Sequence, residues 1–388
     1  MTKKTWAITA VSSPPADSAS GGTDQLGFVH RKLSGGLREG VEVIDVHCGR
    51  LKFTVIPTRG MGIWKAEWDG VPFGWRSPVA GPVHPAFVPL FDPSGLGWLD
   101  GFDELLARCG LLSNGAPEFD ESGRLKYPLH GRIANTPAQR VEVRIDESEQ
   151  MLEVRASVLE SRFHFQKLEL TSICSCQFDR PQIEIRDTIT NRSNAAATSQ
   201  LLYHFNFGPP LLEAGARFVA PVREIAPRDV TAANAIEQWD TIAAPEPGSA
   251  ELVFLMRLLA DEKGRTSTLL HNARRDLGVG LTFDVKQLPC FSLWKNHAGP
   301  LDGYVVGLEP GTNFPNVRSF EESHDRVLKL AAGESYQAQV LIAFLHGKQA
   351  VDAEVRRIGA ILSQPAHRFN WPSPEYSPTQ VPDSDIAG

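Results

Sequence analysis

The stretch from residue 139 to residue 192 narrows the folds open to this chain more than any other. It holds four apolar runs, V-E-V-R-I, M-L-E-V-R-A-S-V-L, F-H-F-Q-K-L-E-L-T-S-I-C and I-E-I-R-D-T-I-T-N, parted by polar turns at Asp146-Glu147-Ser148-Glu149 and Asp179-Arg180-Pro181. Val141, Val143 and Ile145 alternate with Glu142 and Arg144, the period of two that a half-buried strand requires. Strands in such quick succession, with little helical pattern between them, predict an all-β chain, an antiparallel sandwich or barrel.

The rest of the chain extends that reading. Alternating runs from residue 41 to residue 73 predict further half-buried strands, with Asp69-Gly70 as a hairpin turn between Trp68 and Val71. Strand patterns return at 252–259, on both sides of Asp276-Leu277-Gly278, and at 336–344, which is expected to close the sheet. Two segments read as helices: 101–112, with Gly110 as its stop, and 351–361. Residues 1–36 hold a tract rich in Ser, Pro, Gly and Asp and are expected to form an arm or covering loop. A folded domain is expected over 37–363, and 364–388 is expected as a draped or disordered tail.

At 388 residues and a net charge of −7, the chain has no broad basic face for nucleic-acid phosphates. No apolar run approaches the about 20 residues that cross a bilayer, and the N-terminus is too polar for a secretory signal. The five cysteines, Cys48, Cys109, Cys174, Cys176 and Cys290, are odd in number and scattered, as in a reduced cytoplasmic protein without a disulfide framework. Cys174 and Cys176 share one strand face; with no further ligands at workable spacing, they read as packing rather than as a metal site.

Two stretches stand out chemically. In Y-V-V-G-L-E-P-G-T-N-F-P-N, residues 304–316, Glu309 ends a buried strand, and Pro310 restricts it to extended geometry. A carboxylate held there with little charge nearby has a raised pKa and can act as a general base, or it can merely tether the loop. In Q-L-L-Y-H-F-N-F-G-P-P-L-L, residues 200–212, Tyr203, Phe205 and Phe207 face one side while His204 and Asn206 face the other. That sets an imidazole and an amide on one sheet face over an aromatic backing, and imidazole is suited to proton donation near neutral pH. Trp294 and Lys295 offer a ring and a cation suited to a sugar's C–H faces and hydroxyls. Arg59 in R-G-M-G could point into a pocket or into solvent, and Gln238-Trp239-Asp240 could line a cleft or close a loop.

Taken in order, L-H-G at 129–131, Y-H-F-N-F-G at 203–208 and G-L-E-P-G-T-N-F-P at 307–315 resemble the active-site segments of the aldose 1-epimerase (galactose mutarotase) superfamily. The wording R-G-M-G-I, R-C-G-L, L-H-G-R, L-W-K-N and G-L-E-P is similar to its DUF4432 branch. The resemblance implies a mostly antiparallel galactose mutarotase-like β-supersandwich with few short helices, a monosaccharide substrate and no cofactor or metal. It implies Glu309 as catalytic base, His204 as catalytic acid on the far side of the sugar ring, and His130 near the ring oxygen. Arg59, Lys295 and Trp294 are added as pocket residues. Mutarotases carry G-R-x-A-N-R before their L-H-G, whereas here Gly131-Arg132-Ile133-Ala134-Asn135 follows His130. Arg59, Arg108 and Arg132 therefore all stand as the substrate's arginine, and Asp103 and Asp240 as its acidic partner. The implied activity is the interconversion of sugar anomers; a non-catalytic carbohydrate-binding protein, or a sugar isomerase or lyase on the same fold, is the alternative. Exposed sheet edges allow a homodimer.

Overall fold

The computed structural model describes residues 3–8 and 18–379; the remainder of the expected arm and tail lies outside the described residues. Two large sheets share one core. The first runs, in spatial order, 3–7, 139–146, 151–161, 167–177, 182–191, 335–346, 277–284, 265–271 and 217–219. The second has fourteen strands, and five in its middle carry the chemistry: β1 (Leu106–Leu111), β2 (Ala197–Phe207), β3 (Leu252–Leu258), β4 (Cys290–Asn296) and β5 (Val305–Gly311), adjacent in the order β1-β2-β5-β4-β3. Among the described residues only the short pairing of Val222–Pro227 with His367–Arg368 joins two strands in parallel. The result is the mostly antiparallel two-sheet sandwich that the resemblance implies.

The meander at 139–192 pairs strand to strand as its pattern predicts. Leu152, Val154, Ala156 and Val158 all enter the core while the residues between them stay half-exposed. Each such Val or Leu contributes about 1.5–3 kcal/mol on burial, and a one-residue slip would turn the whole set to solvent. Asp69 and Gly70, at φ 52° and 79°, make the expected hairpin turn, with Trp68 opposite Val71.

Four expectations change. Residues 101–112 are not a helix: a 3-10 turn, Gly97–Gly101, leads into strand β1. Every residue of β1 is buried, and a strand covered on both faces loses its alternation and reads like a buried helix. The strand at 335–346 does not close its sheet but lies inside it, between 182–191 and 277–284. Part of the expected arm is regular: 3–7 edges the first sheet, and the hairpin Ser18–Gly22 with Leu26–Lys32 edges the second. Ser-Ala-Ser-Gly-Gly carries no alternating pattern, and Gly21 sits where a Cβ would be 2.5 Å from the Trp6 ring. Within the expected tail, Tyr376 is buried against Phe314 at 5.3 Å between rings. The Tyr376 hydroxyl donates to Glu224, and its carbonyl accepts from Asn316.

The helix expected near the C-terminus spans Lys348–Ile361 and covers strand 265–271 with Val351 and Ile358. No helix among the described residues is long and apolar enough to cross a membrane.

Candidate active site

Alternation along β2 sends Tyr203, Phe205 and Phe207 into the core and turns His204 and Asn206 to the outer face. On the neighbouring strand, Leu308 opposes Phe205 and Gly307 opposes Asn206. Glu309 therefore faces outward too, beside Ser292 of β4, while Trp294 lies across from Gly307. Gly307 is the gap in this row. A Cβ there would lie 2.8 Å from Glu309 Oε1, 3.0 Å from the Trp294 ring and 3.2 Å from His204 Cε1. The glycine is needed for close approach, so that three side chains can converge above its backbone.

His204 Nε2 and Glu309 Oε1 are 3.3 Å apart, and the two side chains are only 5% and 3% exposed. The tautomer of His204 follows from its neighbour. Asn206 Nδ2 donates to two carbonyls, those of Glu104 and His204, each at 3.0 Å. Its Oδ1 must then be the atom 2.7 Å from His204 Nδ1, so Nδ1 carries hydrogen and donates. A neutral His204 thus presents a bare Nε2 to Glu309.

Burial, helped by the Glu251 carboxylate and opposed by Arg228, raises Glu309 to about 8. Burial and the nearby His130 hold His204 well below the ordinary imidazole range, against the pull of Asn206. The separation alone would also suit an ion pair, but both shifts favour the neutral forms. The pair then holds one proton at neutral pH, on Glu309 and aimed at Nε2.

An aromatic wall surrounds the pair. Phe102 and Trp294 approach the His204 ring at 5.2 and 5.4 Å between centroids, and Trp98 lies 4.7 Å from His130. His130, 5.3 Å from His204, donates through Nδ1 to the Asn114 carbonyl, and burial lowers it to about 4. His130 and Trp294 are partly exposed and flank the pair. Trp98 Nε1 and Ser292 Oγ, both buried, have no hydrogen-bond partner among the described residues.

Of the residues read from sequence, His204, Glu309, His130 and Trp294 come together; the others lie elsewhere. Arg59 is buried with its guanidinium spent on Glu104, Asn135 and the carbonyls of Val83 and Gly101. It supports the site from behind, since Gly101 ends the turn that carries Trp98 and the Glu104 carbonyl holds Asn206. Lys295 follows Trp294 on one strand, so it must face the other side. There its ammonium donates to the carbonyls of Gln238, Trp239 and Thr241, tying down that loop. Arg108 points into the core, toward Asp187. Arg132 lines a separate cavity behind the His130 loop. Asp103 accepts from Trp64 Nε1, and Asp240 pairs with Arg217.

The acidic group near the pair is instead Glu251, which accepts from Trp294 Nε1 at 2.7 Å and from Arg228 at 2.9 Å. Glu251, Arg228, Trp98, Phe102 and Asn206 all escaped assignment from sequence. Only Asn206 had a signal there, its place on the His204 face. Nor are imidazole and carboxylate spread to opposite sides of a space for a sugar ring; they touch. The two oxygens of a hemiacetal carbon are geminal, and a touching donor–acceptor pair can address both from one side. No group of three or more His, Cys, Asp or Glu among the described residues is arranged to hold a metal ion.

Residues 38–343 match a family described as a domain of unknown function, DUF4432. A crystal structure from Klebsiella pneumoniae subsp. pneumoniae, provisionally assigned as an aldose 1-epimerase, is 33% identical and superposes with a TM-score of 0.92 over 96% of this chain and 99% of its own. A galactose mutarotase-like protein of Clostridium acetobutylicum shares 14% identity at a TM-score of 0.58, over 84% of this chain and 100% of that one. A galactose mutarotase related enzyme of Lactobacillus acidophilus shares 12% at 0.52, over 79% and 99%. These last two show the fold alone. No curated protein matches the chain by sequence.

Proposed function

The chain belongs to the DUF4432 family, and from that premise we propose that it is an aldose 1-epimerase-like isomerase in which Glu309 and His204 interconvert the anomers of a monosaccharide. The observation that carries the reading is the buried 3.3 Å contact between Glu309 and a His204 whose other nitrogen is committed to Asn206. Ring opening needs one proton delivered to the ring oxygen and one removed from the anomeric hydroxyl. A pair that holds one proton and one vacant nitrogen can do both without a net change.

Starting from the neutral pair, Glu309 gives its proton to the ring oxygen as the C1–O5 bond breaks. His204 Nε2 takes the proton of the anomeric hydroxyl as the C1=O bond forms. The aldehyde end rotates. On closure His204 returns a proton to the carbonyl oxygen, and Glu309 takes the one from the attacking C5 hydroxyl. This ring opening reverses the roles that the family resemblance implies, Glu309 as base at the anomeric hydroxyl and His204 as acid at the ring oxygen, because the proton of the neutral pair rests on Glu309. Trp294, partly exposed, offers a face for the sugar's C–H groups, and the unpartnered Trp98 Nε1 and Ser292 Oγ suit its hydroxyls. Glu251 at the mouth is suited to distinguish hydroxyl configurations.

Anomer exchange followed by NMR on a panel of hexoses, pentoses, deoxy sugars and uronic acids tests this. The expected result is exchange above the spontaneous rate for at least one sugar, lost in Glu309→Gln. Saturable binding of a sugar with no added exchange would make the protein a carbohydrate binder instead.

A further inference from the structure

Arg132 was expected beside the sugar, yet it opens onto a different space. The loop 129–132 is tightly turned: His130 has φ 56° and Gly131 φ 73°, and the Gly131 Cα faces the carbonyls of Ser113 and Gly110 at 2.0 and 2.4 Å from where a Cβ would be. That turn throws His130 toward His204 and Arg132 to the other side. Arg132 there borders a cavity of about 330 Å³, within the range of small-molecule sites.

The floor of this cavity includes Glu160 and Ser113, 3% and 1% exposed. Glu160 Oε2 accepts from the Leu111 backbone amide at 2.9 Å, while its Oε1 has no partner among the described residues; neither has Ser113 Oγ. The walls include Tyr127, Phe91 and Phe165. Arg132 and Arg162 stand over Phe91 and Phe165, at 5.9 and 4.4 Å from the ring centroids, and their guanidiniums make no hydrogen bond or ion pair among the described residues. A buried acceptor and two unpaired guanidiniums thus share one cavity without meeting. A buried polar atom left unsatisfied costs about 1–3 kcal/mol, and a bridging ligand removes that cost.

We propose that this cavity is a second ligand site, for a small polyhydroxylated anion such as a sugar acid or sugar phosphate. Its hydroxyls bond Glu160 and Ser113 on the floor, and its charge rests on Arg132 and Arg162 at the rim. Aromatic walls suit the C–H faces of such a molecule better than they suit a bare ion. Guanidiniums recognise carboxylate and phosphate oxygens through paired donors. Burial raises the Glu160 carboxyl above its ordinary value, against the pull of the Leu111 amide and Arg132, which favours a hydroxyl over an ammonium as its partner.

Ligand-observed saturation-transfer NMR and titration calorimetry on the full chain test the site with four probes: D-gluconate, D-glucose 6-phosphate, D-glucose and inorganic phosphate. Glu309→Gln reports on the His204 site, Arg132→Ala on the rim, and Glu160→Gln on the floor. Gln at 160 can still accept from Leu111 but replaces the free acceptor with a donor. The expected result is that gluconate and glucose 6-phosphate bind wild type and Glu309→Gln alike, and at least tenfold more weakly to Arg132→Ala and to Glu160→Gln. Phosphate binding as tightly as glucose 6-phosphate, indifferent to Glu160→Gln, would overturn the hydroxyl floor. Weakening only in Glu309→Gln, or no binding of any probe at millimolar concentration, would overturn the site itself.

Discussion

Arg108 and His204 sit almost back to back. Arg108 is on β1 opposite Tyr203, and His204 is the next residue along β2. Each is buried and each meets a carboxylate, but on opposite faces of the sheet. Toward the core, Arg108 Nε meets Asp187 at 2.6 Å, and its other nitrogens find Asp187 again at 3.2 Å, Ser172 at 2.8 Å and the Met61 carbonyl. Asp187 belongs to the other sheet, so the pair is a strut across the sandwich. Burial works against the charge on Arg108, but Asp187 outweighs it and holds the guanidinium charged. Toward the outside, His204 and Glu309 meet at 3.3 Å, both shifted toward neutrality, with Trp98 Nε1 and Ser292 Oγ left bare beside them. Saturation and access separate the two. Every guanidinium nitrogen of Arg108 is engaged, and the Tyr203 hydroxyl on that side, unpartnered among the described residues, is sealed in the core. The bare atoms beside His204 instead adjoin the partly exposed His130 and Trp294.

The sharpest way to break this contrast is Glu309→Gln. Gln keeps the volume but cannot carry the shuttled proton, so anomer exchange should fall by about 10³-fold with the melting temperature unchanged or higher. A variant that exchanged anomers at the wild-type rate would remove Glu309 from the chemistry. Arg108→Met should do the reverse. Leaving Asp187 buried and alone costs about 3–5 kcal/mol, seen as a lower denaturant midpoint, while the activity of the folded fraction stays near wild type. A variant as stable as the parent would show that the strut carries no load.

The contrast also explains what could be read in the sequence. His204 and Glu309 were legible because a period of two assigns faces, and because each stands polar in an apolar run. The same rule separates Trp294 from Lys295: neighbours on a strand cannot share a face, so only one could join the site. Residues 101–112 were misread because β1 is buried on both faces, Arg108 included, and its run of apolar residues has no period to read. Arg59 could not be placed because its partners, Glu104, Asn135 and the Gly101 carbonyl, depend on how distant loops meet. Trp98 and Glu251 reach the pair from a 3-10 turn and from a loop end, segments without periodicity. The meander and the hairpin were legible because local pairing builds them.

A smaller effect sharpens the view of His204. Asn206 touches no reacting atom in the proposed scheme; it sets which imidazole nitrogen is bare. Asn206→Ala removes a buried hydrogen bond worth about 1–3 kcal/mol, so kcat should drop by about tenfold while KM changes little. Asn206→Asp, which can still accept from Nδ1–H, should recover part of kcat and raise the pH at which His204 charges. If Asn206→Ala lowered stability but left kcat and its pH profile untouched, Asn206 would be packing and not a positioning residue.

The pH profile carries the smallest change near neutrality. Glu309, raised to about 8 by burial and Glu251, keeps its proton at pH 7 and loses it above that value. Two carboxylates, Glu251 and Glu309, then stand near a His204 that has no proton to give at Nε2. The rate at pH 8 should be about half that at pH 7 and fall about tenfold per unit beyond, after subtraction of the base-catalysed spontaneous exchange. His204 lies well below 6.5, so the acid limb belongs at lower pH, where the pair gains a second proton. Stability carries the same sign: the folded site binds the Glu309 proton more tightly than the unfolded chain does. Its contribution therefore falls as pH rises from the ordinary carboxylate value of 4.5 to about 8, then levels. Glu309→Gln should flatten that slope in melting temperature against pH, whereas Arg108→Met should leave it in place. An alkaline limb that stayed at the same pH in Glu251→Gln would take Glu251 out of the tuning and leave burial as its cause.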